Sequence, residues 1–581
     1  MGMTNADIAA AFDQMADLLD LRNANPFRVR AYRNASRVVG GLKIDLAALI
    51  DADKELPKLP GIGADLEEKI RQLATSGHLP ELDRLRKQVP AGLTDLLRVP
   101  GLGPRRVRVL SDALGLHSQV ALLRAARDGR IRELRGFGPA SEERIAAALE
   151  AQLSKKPRYK LAVAAQYADA LCTYLAKGPG VIEVATAGSL RRARETVGDI
   201  DLLATAAEGG DVVRYFAACP DAKRVLASGA TRGSIVLKSG LQVDLRVVPE
   251  ESYGAALLYF TGSKAHNIRL RNLALERNLK LNEYGLFRAR GRGREVGAVV
   301  AGRTEESVYA ALGLPWIAPE LREDRGEIEA ARNGELPALI ERRALRGDLH
   351  AHTTWSDGSA TIEQMAAGAR ARGLEYLAIS DHSRRRSVAN GLDPERLARQ
   401  CADIARFNAR HADITLLTGI ECDVLDDGIL DLPDSALAPL EVVVAAIHSR
   451  FNLPRQKQTA RVLAALDNPH VRILAHPVGR LIGLREPYDL DMQAVIRKCK
   501  ARAVALELSA HPERLALQDL YCRMAKDEGV LVAINSDAHA VHEFDNLVYG
   551  VAQARRGWLE AGHVLNTRSL AQVRTWLRER R

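Results

Sequence analysis

The chain has 581 residues, more than one hydrophobic core serves, so several domains are expected. Hydrophobic residues make up 47% and charged residues 27%, an ordinary soluble-protein composition that no low-complexity segment interrupts. A net charge of +10 with a pI near 9.3 favours a polyanionic partner, and no uninterrupted apolar stretch is long enough to span a membrane. The acidic, amphipathic start MGMTNADIAAAFDQMADLL lacks a basic residue followed by an apolar run, so no signal peptide is expected. Cys172, Cys219, Cys401, Cys422, Cys499 and Cys522 form no CxxC pair and read as reduced thiols of a cytoplasmic protein.

Residues 1 to about 155 are predicted almost entirely helical, because apolar residues recur at helical spacing between Pro-Gly turns. Three segments repeat one pattern: LPGIGADLEEKI (59–70), VPGLGPRRVRVL (99–110) and LRGFGPASEERI (134–145). Two glycines allow a tight turn and close approach to a phosphate, and the helix start that follows offers free N–H groups to an anion. The pattern resembles the helix-hairpin-helix motif, which grips the DNA backbone without reading sequence. The resemblance sets Gly61, Gly63, Gly101, Gly103, Gly136 and Gly138 against phosphates. Between Arg84 and Arg108 seven basic residues face one acid, Asp95, which supports a DNA-binding reading.

The segment NPFRVRAYRNASRVV (25–39) followed by LPKLPGIG looks like the small N-terminal domain of polymerase beta relatives. In that family a lysine after the hairpin forms a Schiff base with an abasic sugar, and Lys69 matches it. Such a lysine needs a lowered pKa. Here Asp65 replaces a neighbouring lysine, with Glu67 and Glu68 adjacent, which counts against lyase activity. The expected divisions are a small helical domain over 1–85 and helix-hairpin-helix fingers over 86–155.

From about 180 the pattern changes to strands: VIEVATAG, DIDLLAT, GSIVLKS and LQVDLRVVP. The run GSLRRARETVGDIDLL (188–203) is the most informative. Gly188 and Ser189 follow a strand and can cradle a triphosphate, with Arg191, Arg192 and Arg194 supplying charge for its oxygens. Asp199 and Asp201 are one residue apart on a strand and so share a face. Asp244, in VDLRVV, supplies a third acid from a later strand. Three such carboxylates suit two Mg²⁺ or Mn²⁺ ions and in-line phosphoryl transfer.

YFTGSKAHNIRLR (259–271) and LNEYGLF (281–287) closely resemble the thumb of family X DNA polymerases. The resemblance implies filling of gapped or nicked double-stranded DNA with dNTPs. It puts Tyr259, Phe260 and Gly262 in the turn that shapes the sugar pocket, Asn267 at the minor-groove edge of the base, and Arg271 near the templating base. It also puts Ser189 and Arg192 on the triphosphate. Gln242 stands where some relatives have an arginine beside the third acid, and Lys264 where the animal enzyme has an acid. The expected palm is 156–250, the thumb 251–316, and the charged stretch 317–345 a connector.

From 346, short apolar strands end in His or Asp: GDLHAH, YLAISDH, LLTGIEC, VVVAAIH, RILAHP, AVALELS and LVAINSDAH. Helical segments alternate with them, which predicts an α/β barrel-like domain with its chemistry at the strand C-termini. Nine metal-competent residues fall there: His350, His352, Asp357, His382, Glu421, His448, His476, Asp537 and His539. Imidazoles mixed with carboxylates suit Zn²⁺, Mn²⁺ or Fe²⁺.

The order resembles the polymerase and histidinol phosphatase (PHP) domain over the whole 346–581 span. The resemblance implies up to three Zn²⁺ or Mn²⁺ ions: one on His350, His352, Glu421 and Asp537, a second on the shared Glu421 with His448 and His476, a third on Asp357, His382 and His539. Ser509 stands where that family usually has an asparagine, and Arg514 reads equally as a phosphate contact or a surface residue. His411, His470, His511 and His542 read as structural or surface, and His78, His117 and His266 are not needed as ligands.

The expected fold is therefore multidomain: an all-α helix-hairpin-helix region, an α+β nucleotidyltransferase palm with thumb, and an α/β barrel. The expected function is a monomeric, nucleoid-associated repair polymerase with a 3′-end-processing phosphoesterase. Exonuclease, abasic-site endonuclease and 3′-phosphatase remain open for the latter. A DNA-tethered phosphatase and a non-catalytic DNA-end scaffold are the alternatives, and both intact metal constellations argue against the scaffold.

Overall fold

The computed structural model describes every residue except 1–2, 4, 41, 43–45, 52–53, 55, 60, 90–91, 98, 100, 155–156, 291–294, 386–388 and 580–581. Pro60 and Pro100 of the repeated turns, and Arg98 of the basic run, lie outside the described residues. The chain separates into two compact units, Met1–Tyr159 and Lys160–Arg581.

The first unit is helical, and one hydrophobic cluster runs through it from Ile8 to Leu149, across the division expected at 85/86. Its repeated turns share one backbone geometry. Gly61, Gly101 and Gly136 have φ of +62°, +86° and +93°, a region that a β-carbon disfavours. Gly63 and Gly103 are extended and cap the helices Ala64–Ser76 and Pro104–Leu114, with no side chain bonded to the helix start. Gly138 directly precedes Pro139–Ser154. An added β-carbon at Gly63, Gly101, Gly103, Gly136 or Gly138 would meet no atom of the described residues within 4 Å, so among these residues the glycines face open space.

In the second unit helix Leu161–Leu175 leads into a five-stranded sheet in the order Val181–Thr186, Asp199–Ala206, Gln242–Val248, Arg232–Leu237, Ala222–Ser228. The last of these was not expected, because AKRVLAS is charged and its strand is mostly exposed. Helices Tyr253–Thr261 and Lys264–Glu276 follow, then the antiparallel strands Leu279–Asn282, Gly285–Arg290 and Glu295–Ala301. The stretch 317–345 does more than connect. Ile317, Leu321, Ile328, Ala330 and Ala331 are buried in one cluster with Ala255, Leu258 and Leu270, and Trp558 joins them.

All seven predicted C-terminal strands form, as one parallel sheet in chain order from Gly347–Ala351 to Val532–Asn535. Ala351 also bridges Ala538 in parallel, which brings the first strand beside the last and nearly closes a barrel. The middle strands are buried along their full length, as continuous apolar runs covered by helices require. Among the described residues no helix is long and apolar enough to cross a membrane.

Candidate active sites

In the five-stranded sheet, Asp199–Ala206 and Gln242–Val248 run parallel, and Asp201 pairs directly with Asp244. The period of two puts Asp199 on the same face, so three carboxylates converge. Burial, then the charges of Asp199 and Asp244, push Asp201 up to about 7. Asp244 Oδ1 is buried without a hydrogen-bond partner among the described residues, while Gln242 Nε2 donates to its Oδ2 at 2.9 Å. Crowded carboxylates and an orphaned buried oxygen are the signature of a site built for cations.

Gly188 has φ of +62°, and a β-carbon there would lie 2.0 Å from Asp201 Oδ2. The turn that would hold a triphosphate therefore touches the acid cluster. Ser189 follows in the short helix Gly188–Arg191. Arg192 hydrogen-bonds the Thr261 carbonyl, and its Nε donates to Glu323 Oε1 at 3.1 Å. Arg191, expected on phosphate, is instead engaged: its guanidinium grips Glu305 at 2.7 and 2.9 Å and Thr261 Oγ1 at 2.7 Å. Arg322 holds the same Glu305 from the other side.

Tyr259 and Phe260 meet edge to face with ring centroids 5.2 Å apart, the geometry that aromatic quadrupoles favour. Arg271 lies over Tyr259 and Arg246 over Phe260. Asn267 Nδ2 donates to the Tyr259 carbonyl at 2.7 Å, while its Oδ1 is buried with no partner among the described residues. Gly262 ends the helix that carries the two rings. His266 is buried between Glu327 and Tyr309, a structural position.

In the barrel the other eight candidate ligands gather with Glu421 at the strand ends. The Glu421 Oε1 lies 2.9 Å from His476 Nε2, 3.2 Å from His448 Nε2 and 3.6 Å from His350 Nε2. Its Oε2 lies 2.5 Å from His382 Nδ1 and 3.8 Å from His352 Nε2. Burial opposes the Glu421 charge, but the surrounding His448, His382 and His350 hold its pKa well below the ordinary value.

Among the described residues three ligand groups are compact enough for an ion: His350, His352 and Asp537; His382, Glu421 and His448; and His352, Asp357, His382 and His539. His352 and His382 thus each stand between two groups, closer together than three separate sets would be. Among the described residues both Nδ1 atoms of this pair and Glu421 Oε2 are buried without a hydrogen bond of proper geometry. Asp357 and His539 are the most exposed of the nine, so the third group faces solvent. Asp537 and His476 have φ of +55° and +26°, unusual for non-glycine residues and of the kind that clusters at functional sites.

A supporting layer escaped the sequence reading. Glu507 bonds His350, and Asp423 bonds His448. Asp381 accepts from Thr353, Ser356 and Gln400 beneath the loop that carries Asp357. An acid in the middle of an apolar strand, as in AVALELS, was the available signal. Arg514 Nε stands 3.6 Å from Asp537 Oδ2, at the rim of the centre.

In the first unit, Lys69 Nζ is 2.5 Å from Asp65 Oδ2 and 3.6 Å from Glu81 Oε2. Burial works to lower its pKa, but Asp65 and Tyr32 outweigh that and raise it. This is the reverse of what a Schiff-base lysine needs. Arg106 joins two of the hairpins, donating to the Gly101 carbonyl at 3.0 Å and the Gly136 carbonyl at 3.2 Å.

A carboxylate trio beside a Gly-Ser turn, and a histidine-rich barrel, define a nucleotidyltransferase joined to a metal-dependent phosphoesterase. Family models match in the same order: a helix-hairpin-helix domain over residues 3–79 and a SAM-like helix-hairpin-helix tandem over 93–151. The DNA polymerase beta thumb follows over 256–323 and the PHP domain over 348–529. The chain is 39% identical to the DNA polymerase/3′-5′ exonuclease PolX of Bacillus subtilis, over 99% of this chain and 100% of that protein. It belongs to that family, the family X DNA polymerases with a C-terminal PHP domain. DNA polymerase lambda of Rattus norvegicus is 27% identical over 47% of this chain and 49% of its own. A protein named "Probable phosphatase" from Thermoanaerobacter is 26% identical over 40% of this chain and 95% of its own.

Proposed function

We propose that the chain fills short gaps in DNA during repair and trims 3′ ends in its barrel, acting as a monomer. The observation that carries this reading is the coexistence of two centres: Asp201 in register with Asp244 beside Gly188, and a barrel cluster in which eight candidate ligands fall into compact groups and the ninth, His476, lies 2.9 Å from Glu421.

In the palm, Asp199, Asp201 and Asp244 would hold Mg²⁺ or Mn²⁺, which supply charge neutralisation and acidify the attacking 3′-hydroxyl. The Gly188–Ser189 turn and Arg192 bind the triphosphate of a dNTP. Tyr259, Phe260 and Gly262 shape the sugar pocket, Asn267 faces the base, and Arg271 lies toward the template. Arg192 leaves Glu323 to meet phosphate, an exchange of one anion for another.

In the barrel, His350, His352, Asp357, His382, Glu421, His448, His476, Asp537 and His539 would hold up to three Zn²⁺ or Mn²⁺ ions, which supply Lewis acidity for hydrolysis of a phosphoester. Asp423 and Glu507 fix the tautomers of their histidines, and Arg514 draws the anion toward Asp537. The hairpin glycines Gly61, Gly63, Gly101, Gly103, Gly136 and Gly138 bind gapped or nicked duplex through its phosphates. Lys69, paired with Asp65, contributes binding rather than lyase chemistry.

The test is a labelled duplex with a one-nucleotide gap, incubated with Mg²⁺ or Mn²⁺, with and without dNTPs. Extension with dNTPs and shortening without them report the two centres separately. The double substitution His350→Ala with His352→Ala should abolish shortening and lower bound metal while extension survives. Normal shortening by a metal-depleted double variant would place the nuclease elsewhere.

A further inference from the structure

We propose that the barrel holds the nucleotide-binding loop of the palm, with Arg556 and Arg480 as positioning residues for the incoming triphosphate. This rests on the reading that Arg192 meets that triphosphate.

The segment between the Gly188–Ser189 turn and Asp199 is gripped from the barrel at two points. Arg556, the last residue of helix Leu547–Arg556, donates Nη1 to the Arg192 carbonyl at 2.7 Å and to Glu323 Oε1 at 3.0 Å. Its Nη2 donates to Asp519 Oδ2 at 2.7 Å, and its side chain is 2% exposed. Three residues further along the loop, Arg480 pairs with Glu195 through two contacts, at 3.1 and 2.7 Å. Arg480 is itself fixed by the carbonyls of Arg514 and Leu515, at 2.8 and 2.6 Å.

These contacts bear on the triphosphate in two ways. A planar guanidinium with several simultaneous partners sets orientation as well as distance, which an ammonium cannot reproduce. The backbone of Arg192 is therefore placed by Arg556. The second effect is electrostatic. Glu323 Oε1 accepts from both Arg192 Nε and Arg556 Nη1. Sharing that oxygen weakens its hold on Arg192 and eases the transfer of Arg192 to phosphate. Without Arg556, only the more distant Arg194, 3.8 Å from Glu323 Oε1, still competes with Arg192 for that oxygen, and the loop loses a support, so both effects weaken dNTP binding.

The experiment uses the full chain on a one-nucleotide-gapped duplex, with dNTP titrated at steady state, for Arg556→Ala, Arg556→Lys and Glu195→Gln. For Arg556→Ala the expected result is an apparent KM for dNTP raised about tenfold, with kcat within about threefold, as loss of a charged hydrogen bond to a binding element predicts. Shortening of 3′ ends without dNTP should match wild type. Arg556→Lys should recover part of the KM, and Glu195→Gln, at a partly exposed position, should raise KM with the fold undisturbed. An unchanged KM in both Arg556→Ala and Glu195→Gln overturns the proposal. So does an Arg556→Ala protein whose kcat, 3′ shortening and Tm all fall while Glu195→Gln keeps the wild-type KM. A wild-type chain that fills no gap would remove the polymerase reading itself, and this proposal with it.

Discussion

Glu507 Oε1 stands 2.6 Å from Nδ1 of His350. That contact turns Nε2 of the imidazole toward Asp537 and Glu421, and the other Glu507 oxygen accepts the backbone N–H of His476 at 2.7 Å. One buried carboxylate thus orients two candidate ligands from beneath. Glu507→Gln keeps the shape and removes the charge. The expected outcome is metal affinity or 3′ shortening lowered about 10- to 100-fold, as for other residues that orient ligands. Elemental analysis and the gapped-duplex assay check it. Wild-type metal content with wild-type shortening would show that Glu507 only packs.

Asp201→Ala should abolish gap filling and leave 3′ shortening largely intact. Asp201 pairs with Asp244 on the neighbouring strand, and the acids that act on it, Asp199 and Asp244, both belong to the palm. Near-normal nucleotide incorporation by the variant would refute the palm assignment.

Glu305→Gln should destabilise the second unit by about 3 kcal/mol at neutral pH. Burial opposes the Glu305 charge, but Arg322 and Arg191 hold its pKa down at about 2 against an ordinary 4.5. That difference corresponds to about 3 kcal/mol. A depressed carboxylate pKa gives stability that is fully present above about pH 4.5 and is lost as pH falls toward 2. The gap in Tm between wild type and variant should therefore be widest near neutrality and close in that acid window. A gap that stays constant down to pH 2 would contradict the ion-pair account.

DNA binding should weaken steeply with salt and be nearly indifferent to sequence. Phosphate contacts release counterions, so log K falls with log salt by about 0.9 per neutralised phosphate. Binding measured between low and physiological salt, on duplexes of unrelated sequence, checks both parts. A flat salt response, or a marked preference for one sequence, would count against the hairpin reading.

The barrel was legible because its strands are buried apolar runs, each brought to a stop by a polar residue with a chemical reason to be there. The palm acids were legible because a spacing of two on a strand has only one geometric meaning. The ligand sharing was not. His352 and His382 each serve two groups because ring orientation and strand stagger bring them together, and neither leaves a mark in spacing. The grip on the palm loop was equally hidden. Arg556 and Arg192 are 364 positions apart, and a buried arginine looks like any surface arginine until its partners are in place. Arg191 shows the same limit: its place beside a phosphate turn suggests a ligand, and no spacing reveals that it is held at both Nη atoms by Glu305, 114 positions on.

Gly188 gives the fold a single-atom checkpoint. Any side chain at that position would begin 2.0 Å from Asp201 Oδ2, too close for either to stay. Gly188→Ala would therefore displace a carboxylate without touching its chemistry. The spacing of the metal-binding acids thus depends on an atom that is not there: the room for the Asp201 carboxylate is the hydrogen where any other residue carries a β-carbon.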